Sequence, residues 1–300
     1  MLFLRPIFGR AGRPGGGPPV NRWSALAVPL LVFLIVCFIA PLLIMAVRSF
    51  TDLPAGSERD PLVNFRRFFG GEANLRVLRN TFWIAGLSTL GCLIIGYPYA
   101  YLMRLATPRW AGLLLIAVLV PFWSSLLVRT YAWQVILRDT GLINSTLQGW
   151  GLIEQPLDLY QTTTGVLLGM TQILLPFMVL PLFTTMARID PELTKAAANL
   201  GASPRRAFLR VFLPLSIPGV LAGSLLVFVL ALGFYITPAL LGSPKDTMLS
   251  AFIATRVQQQ LDWGLASAMA MVLIAVTLVV LFVASRFIRV RDVFGALDEE

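Results

Sequence analysis

The chain alternates long apolar blocks with short polar connectors. Six blocks stand out, at about residues 26–47, 80–103, 112–133, 165–187, 217–240 and 265–285. Each is close to the roughly 20 residues a helix needs to cross a hydrocarbon core of about 30 Å. A soluble fold would gather its apolar residues into one core, so blocks of this length predict an all-α integral membrane protein with six transmembrane helices. The expected division is a cytoplasmic tail at 1–24, a first transmembrane helix at 25–48, an extracellular or periplasmic loop at 49–79, a transmembrane domain at 80–286 and a second cytoplasmic tail at 287–300.

Proline and glycine interrupt several blocks, among them Pro29, Pro41, Gly96, Pro98, Pro176, Pro181 and Pro238. Neighbouring helices can satisfy the backbone groups such residues free, so the interruptions read either as kinked packing or as openings along a path. The first block follows Arg5, Arg10, Arg13 and Arg22 as a secretory signal would, but its length and the lack of a small-residue cleavage site predict an uncleaved anchor. The Gly/Pro-rich run from Gly9 to Pro19 reads as disordered.

Composition agrees: 57% of residues are hydrophobic, 13% are charged and mean hydropathy is +0.79. Orientation follows the Lys/Arg balance. With both termini in the cytoplasm, fourteen basic residues lie inside, including Arg104, Arg109, Arg188, Lys195, Arg205, Arg206 and Arg210. The first outer loop opposes this with six arginines, but it is the longest loop and mixes in Asp52, Glu58, Asp60 and Glu72. The net charge of +9 then reads as a topology and lipid-headgroup signal, not as a nucleic-acid footprint.

Several chemistries are absent. There is no histidine, and all fifteen Asp and Glu fall outside the six blocks, which disfavours an ion-coupled carrier and a membrane-embedded hydrolase. Cys37 and Cys92 sit inside apolar blocks, where neither a structural disulfide nor a zinc site is expected. The only lysines, Lys195 and Lys245, follow Thr194 and Pro244, so no Gly-Lys-Ser/Thr phosphate loop can form. The sequence therefore predicts no catalytic residue, no metal site and no cofactor in this chain; energy for active transport must come from another.

The polar segment 188–214 between the fourth and fifth blocks is punctuated like two short helices. Asp190 suits an N-cap, Pro191 the first helical position, and Gly201 a left-handed C-cap; Ser203 and Pro204 repeat the start signal, and Pro214 is expected to end the second helix. Ala196 and Ala197 allow close backbone approach, and Arg205, Arg206 and Arg210 offer charge to a partner or to membrane lipid.

This segment resembles the cytoplasmic signature of binding-protein-dependent ABC importer permeases: Glu-Ala-Ala, three residues, Gly, nine residues, Ile, any residue, Leu-Pro. Ala196, Ala197, Gly201, Val211 and Leu213-Pro214 fill it, while Lys195 stands where the family has glutamate. The stretches Pro121–Leu137, Gly141–Ile153, Leu175–Asp190 and Asp262–Val272 are similar to one branch, the first permease subunit of spermidine/putrescine-type importers.

The resemblance implies a type I importer permease: half of a heterodimeric pore with a sister permease subunit, a docked pair of ATP-binding cassette ATPases, and a periplasmic solute-binding protein. The implied ATPase-coupling residues are Asp190, Lys195, Ala196, Ala197, Gly201, Ser203, Arg205, Arg206 and Pro214. Candidates for the solute pathway are Trp123, Arg129, Tyr131, Trp133, Gln172, Tyr235 and Thr237, each of which could instead serve packing or the interfacial aromatic belt. Gln172 stands out because a buried amide in lipid demands a partner. Related polyamine permeases tend to carry an acid within the segment matching Gly233–Gly242, where this chain has Phe234 and Ala239. The expected solute is polyamine-like; an amino-acid derivative, an opine or a phosphonate is the alternative. From other classes, a self-contained channel or a membrane scaffold would also fit six spans.

Overall fold

The computed structural model describes residues 22–54 and 60–287. The disorder expected over Gly9–Pro19 and the tail expected after residue 287 lie outside them. Among the described residues there is no β-strand. Helix α1, Arg22–Thr51, is apolar along its length and holds Pro29 and Pro41 within it.

From residue 46 onward the core is a bundle of α3 (Glu72–Leu105), α7 (Thr163–Ala187) and α10 (Leu213–Leu232). α7 is the central member, because Met170, Leu174, Met178, Leu182 and Met186 recur at every fourth residue and are fully buried. Such a row forms one ridge along a helix and seats in a neighbour's groove. α3 runs beside α7 in the same direction: Cys92 Sγ donates to Thr171 O at 3.5 Å, and at the far end Arg104 reaches Met186 O. α10 returns, with the Tyr97 and Ser216 hydroxyls 2.9 Å apart at one end and the Phe82 and Phe228 rings 6.2 Å apart at the other.

The opposite end of the bundle carries a shorter layer. Helix α2 (Val63–Gly70) is the amphipathic stretch of the first loop, with Asn64 and Phe68 buried. Asn64 Nδ2 donates to Ser49 O at 3.1 Å and Asp52 O at 3.0 Å, and Arg67 bridges to Asp262 at 2.9 Å. Helix α12 (Leu249–Gln258) and the start of the long α13 (Trp263–Phe287), through Leu265 and Met269, complete it.

Among the described residues, five helices are long and apolar enough to cross a membrane, and a sixth span is present only as a broken pair. The block expected at 112–133 is therefore not one straight helix. α4 (Pro108–Leu119) passes into a 3-10 turn at Val120–Trp123, and the chain from Leu126 leaves at 98° as α5 (Leu126–Leu137) and α6 (Leu142–Gly149). Pro121 has no N–H for the helical ladder, Ser124 and Ser125 are extended, and both the Ser124 N–H and hydroxyl turn back to Pro121 O.

The fifth block also shifts. A continuous helical run covers Pro204–Leu232, then breaks, and a short α11 (Ile236–Leu241) follows. Pro238 explains the restart, since it is tolerated only in a first turn whose N–H groups are unpaired anyway.

Candidate functional site

Beyond the C-terminus of α7 the chain builds a helix–turn–helix from α8 (Pro191–Asn199) and α9 (Pro204–Ala207). Asp190 is the N-cap, its carboxylate accepting from Glu192 N at 2.9 Å. The exit from α8 is a Schellman motif: Ala202 N donates to Ala197 O at 3.0 Å, Gly201 N to Ala198 O at 2.9 Å, and Gly201 lies at φ +87°. Ser203 has the extended backbone of an N-cap, but its hydroxyl makes no capping bond.

Pro214 does not end the second helix. α9 passes through a π turn at Phe208–Phe212 directly into α10, with Leu213 N bonded to Phe208 O. The widened turn accommodates the proline ring, which in a regular helix would collide with the carbonyl four residues back.

No residue of α8 is buried. Asp190, Lys195, Ala196, Gly201, Ser203, Arg205, Arg206 and Pro214 are all exposed, and Ala197 is half-buried. Leu193 is 46% exposed and Leu200, at the tip of the turn, 89%. Seven residues apart with Ala196 and Ala197 between, these leucines form an apolar strip that a reading centred on small and charged residues misses. Their spacing was the available signal.

Lys195 lies in an ion pair with Glu192 of its own helix at 2.7 Å, a hydrogen bond that raises the affinity of its ammonium for the proton. Both side chains are about two-thirds exposed. Exposed pairs of this kind contribute little. Lys195→Glu is therefore expected to retain most transport activity, measured as uptake in membrane vesicles. Loss of uptake that no charge reversal on the ATPase restores would contradict this reading.

Of the solute-path candidates, three come together against the first half of α7. Trp133 Nε1 donates to Gln172 Oε1 at 3.4 Å, and a β-carbon placed on Gly169 would lie 3.0 Å from Thr237 Cγ2 and 4.0 Å from Trp133 Cδ1. α11 is fastened there by Gln134 Nε2, which donates to Leu240 O at 2.9 Å. Thr237 is fully buried, and its hydroxyl has no hydrogen-bond partner among the described residues. Arg129, one turn before Trp133 on α5, likewise has a buried Nε without a partner among them. Trp123, Tyr131 and Tyr235 are exposed.

One acid that the sequence reading left unassigned is buried. Asp246 accepts from Ser243 N at 2.9 Å, Ser243 Oγ at 2.6 Å and Thr163 Oγ1, tying the turn after α11 to the start of α7. The Ser243-x-x-Asp246 spacing is a capping box and was legible as one. Its carboxylate is fully engaged in holding that turn. Among the described residues no group of three or more His, Cys, Asp or Glu could hold a metal ion.

Together these features define a multi-pass helical membrane protein that presents a helix–turn–helix beyond its bundle and a small polar cluster within it. The chain belongs to the family of binding-protein-dependent transport system inner membrane components, which matches residues 23–292. It is 32% identical over 270 residues to the spermidine/putrescine transport system permease protein PotB of Haemophilus influenzae, covering 89% of this chain and 94% of that one. With PotB of Escherichia coli K12 the identity is 35% over 216 residues, 72% of this chain and 78% of the relative. The fold is shared with a bacterial alginate ABC transporter crystallised with an alginate pentasaccharide-bound periplasmic protein, at TM-score 0.70 and 18% identity over 88% of this chain and 93% of that one.

The expected assignment to ABC importer permeases thus holds, as does the all-α membrane fold. The chain is a multi-pass permease subunit of the inner membrane, in a family of transport components and not of enzymes, whose members work with an ATPase and a solute-binding protein.

Proposed function

We propose that this chain forms half of a heterodimeric import pore with a sister permease, and that α8 and α9 dock on a separate ATP-binding cassette ATPase dimer at the cytoplasmic face, both termini being cytoplasmic. The observation that carries the reading is the apolar strip of Leu193 and Leu200. Leu200 is 89% exposed at the C-cap of a helix otherwise polar enough to stand in water, in a turn closed by the Gly201 and Ala202 backbone hydrogen bonds. An exposed apolar strip on an ordered projection is suited to a partner's apolar surface. Replacing Leu193 and Leu200 together by serine should lower retention of the ATPase on the affinity-purified permease by on the order of tenfold or more. Unchanged retention would contradict the docking assignment.

For the solute, similarity to PotB supports a polyamine-like, amine-bearing compound delivered by a periplasmic binding protein. Arg129 favours a second reading, since it is a cation one turn before Trp133 on α5 whose buried Nε has no partner among the described residues, and Trp133, Gln172 and Thr237 themselves carry no charge. A cation there suits a zwitterion or an anion such as an amino-acid derivative, an opine or a phosphonate. Calorimetry on the cognate binding protein, with putrescine and spermidine against zwitterionic and anionic solutes, decides between them. Tight binding of an anion alone would remove the polyamine reading.

A further inference from the structure

We propose that Arg104, at the C-terminal end of α3, is a positioning residue that locks both roots of the helix–turn–helix, so that α8 and α9 can move only together with α3, α7 and α10. Its coupling role rests on the docking reading above; the lock itself does not.

Arg104 Nε donates to Met186 O at 2.6 Å and Nη2 to Ile189 O at 2.7 Å. Met186 O, in the last turn of α7, also accepts from Ile189 N at 3.3 Å, and Ile189 O belongs to the residue before the Asp190 cap; the carbonyls of a helix end are short of donors. A guanidinium satisfies them as charge-assisted bonds and also complements the negative end of the helix dipole. The same guanidinium lies 4.8 Å from the centroid of Phe212, the last residue of the π turn that leads out of α9. One planar group thus holds the chain where it leaves α7 and where it returns to α10. The residues it holds are buried, Met186 being 0%, Ile189 8% and Phe212 2% exposed, while Arg104 itself is half-buried.

The returning root is held by α3 a second time. Tyr101 lies one turn before Arg104 on the same face, and its ring meets Phe212 at 5.1 Å and Phe208 at 5.3 Å, edge to face. Since α8 has no buried residue, a push on its tip is resisted chiefly at these roots. A hinge there would let the docked helices swing while the bundle stayed still; the Arg104 lock removes it.

The lock is read without a partner by hydrogen exchange on the full chain in nanodiscs. Arg104→Gln should speed exchange across the end of α7 and through α8 by about tenfold or more, because two charge-assisted bonds are lost. Arg104→Lys should recover part of the protection, keeping the charge without the planar fork. Unchanged exchange in Arg104→Gln overturns the proposal.

The coupling role is read in the complete complex as solute imported per ATP hydrolysed. Arg104→Gln should lower that ratio several-fold while ATPase retention and basal hydrolysis stay at the parent level. Phe212→Leu, which leaves both hydrogen bonds in place, should lower it less and guards against a folding defect in the first variant. Faster exchange with an unchanged ratio overturns the coupling role. Failure of the parent complex to retain an ATPase would instead count against the docking reading, with the exchange result still deciding the lock.

Discussion

Gly201→Val should abolish ATP-driven uptake and release the ATPase from the purified permease, while the chain still inserts into the membrane in normal amount. The cause is the backbone alone. Gly201 sits at φ +87°, and a β-carbon there would meet nothing within 4 Å, so no clash with a neighbour contributes. What a side chain meets is its own peptide: the left-handed region costs an ordinary residue about 1–2 kcal/mol, and a β-branched one more. That strain is relieved by unwinding the Schellman motif, which re-aims α8 relative to α9 and displaces Leu200. Gly201→Ala, with a smaller penalty, should keep partial activity. Uptake and ATPase retention are measured on the same preparations; full activity of Gly201→Val would remove the turn from the docking surface.

Gly169→Val should give the complementary phenotype, in which uptake is lost and the ATPase is retained. Here the backbone is ordinary helix and the constraint is space. A β-carbon on Gly169 would lie 2.5 Å from Leu241 Cδ1 and 3.0 Å from Thr237 Cγ2, and both neighbours are fully buried. Overpacking of this kind costs about 1–3 kcal/mol. It is relieved by moving α11 away from α7, which spreads Thr237 from the Trp133–Gln172 pair. Loss of the ATPase together with uptake would show that the polar cluster and the helix–turn–helix are not separable in the way proposed.

The contrast between these glycines reflects what a sequence can disclose. Gly201 was legible because a left-handed C-cap is local: Pro191, the alanines and the glycine lie within eleven residues, and the Asp190 cap and the turn both form as the spacing required. Gly169 was not, since its neighbours arrive from α11 and α5, and nothing in residues 163–187 announces that contact. The number of apolar blocks was legible from length, but two of their shapes were not. Pro121 could have kinked a straight helix, and only the extended Ser124 and Ser125 make it a 98° bend. Pro214 looked like a stop because a regular helix rejects it, whereas the π turn before it absorbs the ring. Among the solute-path candidates, Gln172 is half-buried rather than buried and accepts from Trp133. Leu200 was overlooked because an apolar residue in a short polar segment reads as packing until its exposure is known.

The central claim is that this chain provides a pore half and a docking surface but no engine. It is tested most directly by reconstitution with one component omitted at a time, in liposomes carrying ATP inside and solute outside. The chain with its sister permease, the ATPase and the solute-binding protein should accumulate solute, and leaving out any one should abolish accumulation. Solute flux through liposomes containing this chain alone would contradict the account and make it a self-contained channel.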